Sequence, residues 1–274
     1  MSTTLGEEAS PCDDTRKVWP HINVEIGAGS QQVDTVKVMG YNLIVKDLTI
    51  VPMDHRVVIN TMSPNSHGLA IKDKETYEAL KSSDYLVLDG VYFGLAPILL
   101  RGVKVRRITG WDCFVYFCRR LNETNGRCFF LGSTEETLNR IVNRLRVDFP
   151  NITASGFAPP FEESFTLAED AQMRTAVDAF KPDVLFIGMT APKQEKWAAR
   201  NHSQLNVHVI ASIGNVFDWY AGNSSRPSRL WQTIGLEWLI RIFYRPAILK
   251  RNLLNQLAFL KDLLFVILKV KEEQ

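Results

Sequence analysis

The run Asp183-Val-Leu-Phe-Ile-Gly-Met-Thr-Ala-Pro-Lys-Gln-Glu-Lys-Trp197 constrains this chain more than any other stretch. Its first half, entered from Lys181-Pro182, is a short unbroken apolar run, the pattern of a strand buried on both faces. Its second half, from Pro192 through Glu195 to Arg200, suits a helix whose first turn tolerates a residue lacking an N–H. A strand, a turn containing Gly188 and a helix start present unpaired backbone N–H groups and a positive dipole end, a place for an anion such as phosphate. Gln194 and Glu195 stand at that mouth, and the Gln194 amide can both donate and accept. An ordinary βα turn without a ligand has the same local pattern, so the run by itself leaves both readings open.

The same rhythm extends on either side. Val36 to Gly40 and Leu43 to Val45 suggest a short hairpin. Val57 to Met62 reads as a strand, Ser63 to His67 as its exit loop, and Gly68 to Ser82 as a helix. Asp84 to Leu88 is a strand ending in Asp89-Gly90, and helical residues follow to about Leu100. A helix around Trp111–Asn122 precedes the strand Arg127–Gly132. Ser133-Thr-Glu-Glu136 has the spacing of a capping box for a helix running to Phe149. Ile152 to Gly156 predicts a strand, Pro159-Pro160-Phe161 a stiff loop, Leu167 to Phe180 a helix, and Val207 to Gly214 a further strand. Strands alternating with helices predict an α/β fold, a mostly parallel sheet with helices on both faces. Ligands of such sheets sit at the carboxyl ends of strands, where Thr61, Asp89, Gly132, Gly188 and Gly214 fall.

Composition sets the outer limits. The 274 residues carry a net charge of +2, which gives no argument for a nucleic-acid partner. Cys12, Cys113, Cys118 and Cys128 form no CxxC pair and have no matching histidine spacing, so reduced packing cysteines are expected rather than zinc or disulfides. The chain contains no GxxxxGK[ST] and no Asp-x-Asp pair, which removes the P-loop and the usual acidic metal clasp of sugar-nucleotide enzymes. Gly27-Ala-Gly29 follows a short apolar run but lacks the third glycine of a dinucleotide fingerprint and is read as a decoy. Three stretches are expected: a flexible segment over residues 1–34, an α/β domain over 35–225, and a helical appendage over 226–274.

In that last stretch, from Arg226 to Lys271, nine lysines and arginines face only Glu237 and Asp262. Leu249, Leu253, Leu257, Leu260, Leu264 and Ile267 recur at helical spacing. Such a basic amphipathic helix can lie in an anionic membrane interface; closing the core, or forming a homo-oligomer interface, are the other uses of the same pattern. No run reaches the ~20 apolar residues of a membrane span.

Several side chains suggest chemistry. Asp89, beside a glycine at a strand end, can serve as a general base, and equally as an Asx-turn or N-cap residue. Thr61, Ser63 and Asn65 offer polar groups at the neighbouring strand end, or cap a loop. His67 suits packing better than reaction, and Asp218 suits a hydrogen-bond anchor as well as a ligand contact.

Taken in order, these motifs resemble the WecG/TagA/CpsF family of bacterial glycosyltransferases. The matching stretches are Thr61 with its polar loop, Leu88-Asp89-Gly90, Phe130-Leu-Gly-Ser133, Gly156 with Pro159-Pro160-Phe161, and Gly188 to Trp197. They continue through Ile213-Gly214, Phe217-Asp218, Ala221-Gly222, Arg226-Pro227, Gly235 to Arg241 and Arg245-Pro246. The resemblance implies an inverting transferase that moves a sugar of N-acetylmannosamine, its uronic acid or glucose type from a UDP-sugar to a polyprenyl-diphosphate-linked saccharide. It further implies a Rossmann-like body, no metal or cofactor, and a peripheral place on the cytoplasmic face of the cell membrane. The family's aspartate base falls on Asp89, its threonine on Thr61 and its glutamine on Gln194. The appendage arginines that meet the acceptor diphosphate fall on Arg241, Arg245 and Arg251. Gly90, Gly132, Ser133, Gly188, Pro192, Glu195, Gly214, Asn65 and Asp218 are the expected substrate-binding positions. A non-catalytic sugar-nucleotide sensor and another sugar-nucleotide enzyme, such as an epimerase, are the competing readings.

Overall fold

The computed structural model describes residues 34–162, 164–225 and 246–268, with side chains from Asn252 onward in the last stretch. The hairpin is β1 (Thr35–Val38) and β2 (Tyr41–Ile44), paired antiparallel. The strands that follow are β3 (Val57–Met62), β4 (Tyr85–Leu88), β5 (Arg127–Gly132), β6 (Thr153–Phe157), β7 (Val184–Gly188) and β8 (Val209–Ser212). They join the hairpin in one sheet of order β1-β2-β4-β3-β8-β7-β5-β6. Every pairing beyond the hairpin is parallel. The expected α/β class is therefore what the chain adopts, with strands of unbroken apolar burial at its centre.

Helices cover both faces. One face packs under α4 (Gly110–Thr124), α5 (Glu135–Asp148) and the short α8 (Val216–Tyr220), with Phe114, Phe117, Phe130, Phe186 and Tyr220 in one cluster. The other face divides in two. Beneath α6 (Leu167–Phe180) and α7 (Lys193–Asn201), Met173, Val177 and Trp197 pack on Val58, Leu185 and Ile187. Beneath α1 (Pro64–Ala70), α3 (Leu95–Arg101) and the C-terminal α9 (Pro246–Ile267), Phe93, Phe259 and Leu263 pack on Leu43, Met62 and Leu86. Complete burial of Phe259 and Leu263 is worth roughly 1.5–3 kcal/mol each, so α9 is fastened to the body.

Two local expectations are corrected. Residues 68–82 do not form one helix, and Ser63 to His67 is not a loop. Ser63 Oγ accepts from the Ser66 N–H and Pro64 occupies the first turn, so α1 begins at Pro64. Asp73, accepting from the Glu75 N–H, then starts a separate helix, α2 (Lys74–Lys81). The cap of α5 is Thr134, which accepts from the Thr137 N–H, in place of a box between Ser133 and Glu136. Ser133 instead takes φ +58°, a left-handed conformation that side chains rarely adopt. Cys113, Cys118 and Cys128 are free thiols in the core, pushed up in pKa by burial.

Candidate active site

The sheet order lines up the carboxyl ends of β4, β3, β8, β7 and β5 in one row. Asp89 leaves β4 at this row. Its N–H, and more weakly that of Gly90, donates to the Met62 carbonyl at the end of β3, at 2.9 and 3.3 Å. The register sets Met62 beside Leu88, so Thr61 lies one strand over from Asp89 and just below it. Gly90 permits this approach. A Cβ there would stand 2.5 Å from Pro64 Cδ and 3.0 Å from Ser63 Cβ. The glycine thus serves a close contact with the start of α1, which its sequence position alone does not reveal.

Arg107 completes the aspartate's surroundings, and the sequence reading missed it. Residues 103–108 run extended past the end of β4, with a parallel bridge between Leu88 and Arg107. The Ile108 N–H donates to the Leu88 carbonyl at 2.8 Å. Arg107 Nε donates to the Asp89 carbonyl at 2.7 Å, and its Nη2 lies 3.8 Å from Asp89 Oδ1. The alternation Val103, Val105, Arg107 places this arginine on the face that its valines bury, a signal that strand periodicity carries. A half-exposed carboxylate at a strand end, fixed through its backbone and beside a guanidinium, can take a proton from an attacking hydroxyl.

Across the row, Gln194 and Glu195 open α7. The helix begins at Lys193 with Pro192 at its cap, one residue later than the sequence suggests. Gln194 reaches over the end of β8: its carboxamide lies 3.7 Å from where a Cβ of Gly214 would stand. Gly214 adopts φ +55°. Gln194 Nε2 donates to Glu195 Oε1 at 2.9 Å. Glu195 is only 2% exposed, and loss of water pushes its carboxyl above the usual range. Gln194 Oε1 and Glu195 Oε2, both buried, have no hydrogen-bond partner among the described residues.

Other expected positions are used for packing or turns. A Cβ on Gly132 would stand 2.5 Å from the Gly188 carbonyl oxygen, and one on Gly188 would enter the Phe217 ring. These glycines let β5, β7 and α8 meet. Asp218 anchors the turn after α8, its carbonyl accepting from the Asn223 and Ser224 N–H groups. Asn65 faces α9: its Oδ1 accepts from Asn255 Nδ2 at 2.9 Å. His67 packs, as its sequence context suggests, between the Tyr41 hydroxyl and Asp262. Arg241 and Arg245 lie outside the described residues, as does the Gly27-Ala-Gly29 decoy. Arg251 falls within α9, but its side chain is outside the description. Among the described residues, no group of three or more His, Cys, Asp or Glu side chains could hold a metal ion.

The fold and its row of strand ends are those of a Rossmann-like α/β protein, and comparison with known proteins names the family. The model described as Glycosyl transferase WecG/TagA/CpsF family matches residues 33–273, and the chain belongs to that family of glycosyltransferases. It is 27% identical to an N-acetylglucosaminyldiphosphoundecaprenol N-acetyl-beta-D-mannosaminyltransferase of Bacillus subtilis (strain 168), over 72% of this chain and 75% of the relative. A Staphylococcus aureus (strain NCTC 8325) protein of the same name is 26% identical, over 77% of this chain and 78% of its own.

Proposed function

We propose that this chain transfers a sugar, with inversion and without a metal, from a UDP-sugar to a polyprenyl-diphosphate-linked saccharide at the inner surface of the cell membrane. The names of the relatives favour N-acetylmannosamine as the sugar and an N-acetylglucosamine-bearing lipid as the acceptor. The observation that carries the reading is Asp89, held at the row of strand ends by Met62 and Arg107.

Asp89 takes the proton of the acceptor hydroxyl as that oxygen attacks the anomeric carbon. The bond to the UDP oxygen breaks, and its electrons leave with the diphosphate. Thr61, on the adjacent strand, and the Gln194 carboxamide orient the sugar. Charge developing on the diphosphate meets the N-terminus of α7 and arginines of the C-terminal stretch, among them Arg241, Arg245 and Arg251. Seating at the membrane is supported by α9, whose exposed side chains are largely leucine. Among the described residues no helix is long and apolar enough to cross a membrane.

The test is Asp89→Asn, assayed by UDP release with a lipid-linked acceptor. Turnover falls roughly 10²–10⁴-fold, while UDP binding and thermal unfolding stay as in the parent. Full turnover in that variant removes the base from Asp89.

A further inference from the structure

The C-terminal helix α9 is apolar on its outward face as well as its inward one. Its inward face carries Asn255, 0% exposed, and the largely shielded Asp262, alongside Phe259 and Leu263. Its outward face carries Leu253, Leu257, Leu260, Leu264 and Phe265, all exposed. A helix facing water carries polar side chains on its outward face. Beside it lies α3, which contacts both α9 and β1. This seven-residue helix buries Ala96 and Pro97 but exposes Leu95, Ile98 and Leu99, the last at 58%. Nothing in the sequence reading assigned α3 a role.

Charge identifies what these side chains meet. The exit of α3 runs through Arg101, Lys104 and Arg106, all exposed. Arg101 Nε donates to the Lys37 carbonyl at 3.1 Å, which fixes its guanidinium at the helix end. On α9, exposed Lys261 lies 5.7 Å from the Phe265 ring. Two copies of the chain meeting through this surface would bring basic rims together, an unfavourable isologous contact. An anionic bilayer offers the complement, with phosphates at the level of the rim and acyl chains below.

We propose that α3 is a second membrane-seating element: Leu95, Ile98 and Leu99 enter the acyl boundary of an anionic membrane beside the leucines of α9, with Arg101, Lys104 and Arg106 at headgroup level. This rests on the membrane reading above and extends it. One helix lying on a surface leaves the body free to roll about its axis; a second contact removes that freedom. Because α3 follows Asp89-Gly90 by a single turn, Val91–Gly94, its seating brings the mouth of the strand-end row to the plane where a lipid-linked diphosphate lies.

Full-length protein is sedimented with vesicles of phosphatidylglycerol and phosphatidylcholine, and with phosphatidylcholine alone. The paired variant Ile98→Glu/Leu99→Glu lowers partition onto the anionic vesicles at least tenfold. It raises KM for a long-chain polyprenyl acceptor and leaves kcat with a short, water-soluble acceptor within twofold. If partition stays within twofold of the parent while Leu257→Glu/Leu260→Glu abolishes it, the α3 proposal falls and the membrane reading stands. If neither pair changes partition, both fall. A parent dimer that the α3 pair converts to monomer with vesicle binding intact assigns the surface to a second copy and overturns the proposal. Should the charged pair fail to fold, a nitroxide on Leu99→Cys, in a Cys12→Ser background, replaces it. Oxygen accessibility of that label rises on adding anionic vesicles; an unchanged aqueous signal, or a label already shielded without vesicles, overturns the proposal.

Discussion

His67 Nε2 and Asp262 Oδ2 lie 2.9 Å apart, joining the helix that leaves the Thr61 strand to the C-terminal helix. Their side chains are 5% and 12% exposed, so the contact is largely shielded from water. Removing Asp262 takes from the buried imidazole the hydrogen bond made by Nε2, while its Nδ1 keeps the Tyr41 hydroxyl. Asp262→Ala therefore lowers stability by about 1–3 kcal/mol in urea unfolding, whereas Asp262→Asn, which keeps a hydrogen bond, loses less. Equal losses in the two variants would mean that a neutral amide cannot replace the carboxylate.

Gly68 sets how closely α1 and α9 approach. A Cβ there would stand 2.6 Å from the Asn255 Cα and carbonyl oxygen, which are backbone atoms unable to swing aside. Gly68→Ala gains up to about 1 kcal/mol in helix propensity and loses more by forcing the helices apart, typically 1–3 kcal/mol. The net outcome is a lower melting temperature and faster proteolysis within α9. A melting temperature at or above the parent's would show that the seam yields freely.

Gly90 imposes the corresponding limit at the mouth. An alanine there meets Pro64 and Ser63, which displaces the loop carrying Asp89. Misplacing a reacting group by about 1 Å costs on the order of 10²-fold in rate. Gly90→Ala thus reduces kcat by one to two orders of magnitude, with a smaller change in UDP affinity measured by calorimetry. Parental kcat would show that the loop accommodates the methyl group.

Glu195 gives a pH dependence with a definite sign. Burial raises its carboxyl pKa in the folded state above the unfolded value. Its contribution to stability is accordingly full below the ordinary glutamate pKa and is lost as pH rises through the raised one, because the unfolded chain releases the proton first. Glu195→Gln, a neutral isostere, should match the parent's stability at acid pH and exceed it increasingly toward alkaline pH. The gap widens by up to about 1.4 kcal/mol per pH unit in the window between the two pKa values. Urea titrations at several pH values check this; a gap that stays constant contradicts it.

Much of the architecture is written locally and was readable. Strands such as Val184–Ile187 are unbroken apolar runs because both their faces are covered, and Leu167–Phe180 is bounded by a threonine cap and a lysine in the left-handed conformation. The strand-end placement of Thr61 and Asp89 follows from that rhythm. The alternation Val103, Val105, Arg107 is visible in the chain, but the pairing of this segment with the end of β4, which brings the guanidinium to Asp89, is a tertiary contact made through one isolated bridge. The bond between Asn65 and Asn255 spans 190 positions and ends on a helix whose spacing shows an apolar stripe, so local pattern does not reveal it. Periodicity located the stripe on α9 but not the direction it faces. That direction depends on Asn255, Phe259 and Asp262 finding α1 and the sheet.

Because Asn255, Phe259 and Leu263 lock α9 against the body, this helix acts as a keel rather than a swinging arm. Whatever surface receives its leucines also sets the tilt and height of the whole strand-end row. Reach toward a substrate embedded in that surface is then decided by how the rigid hull comes to rest.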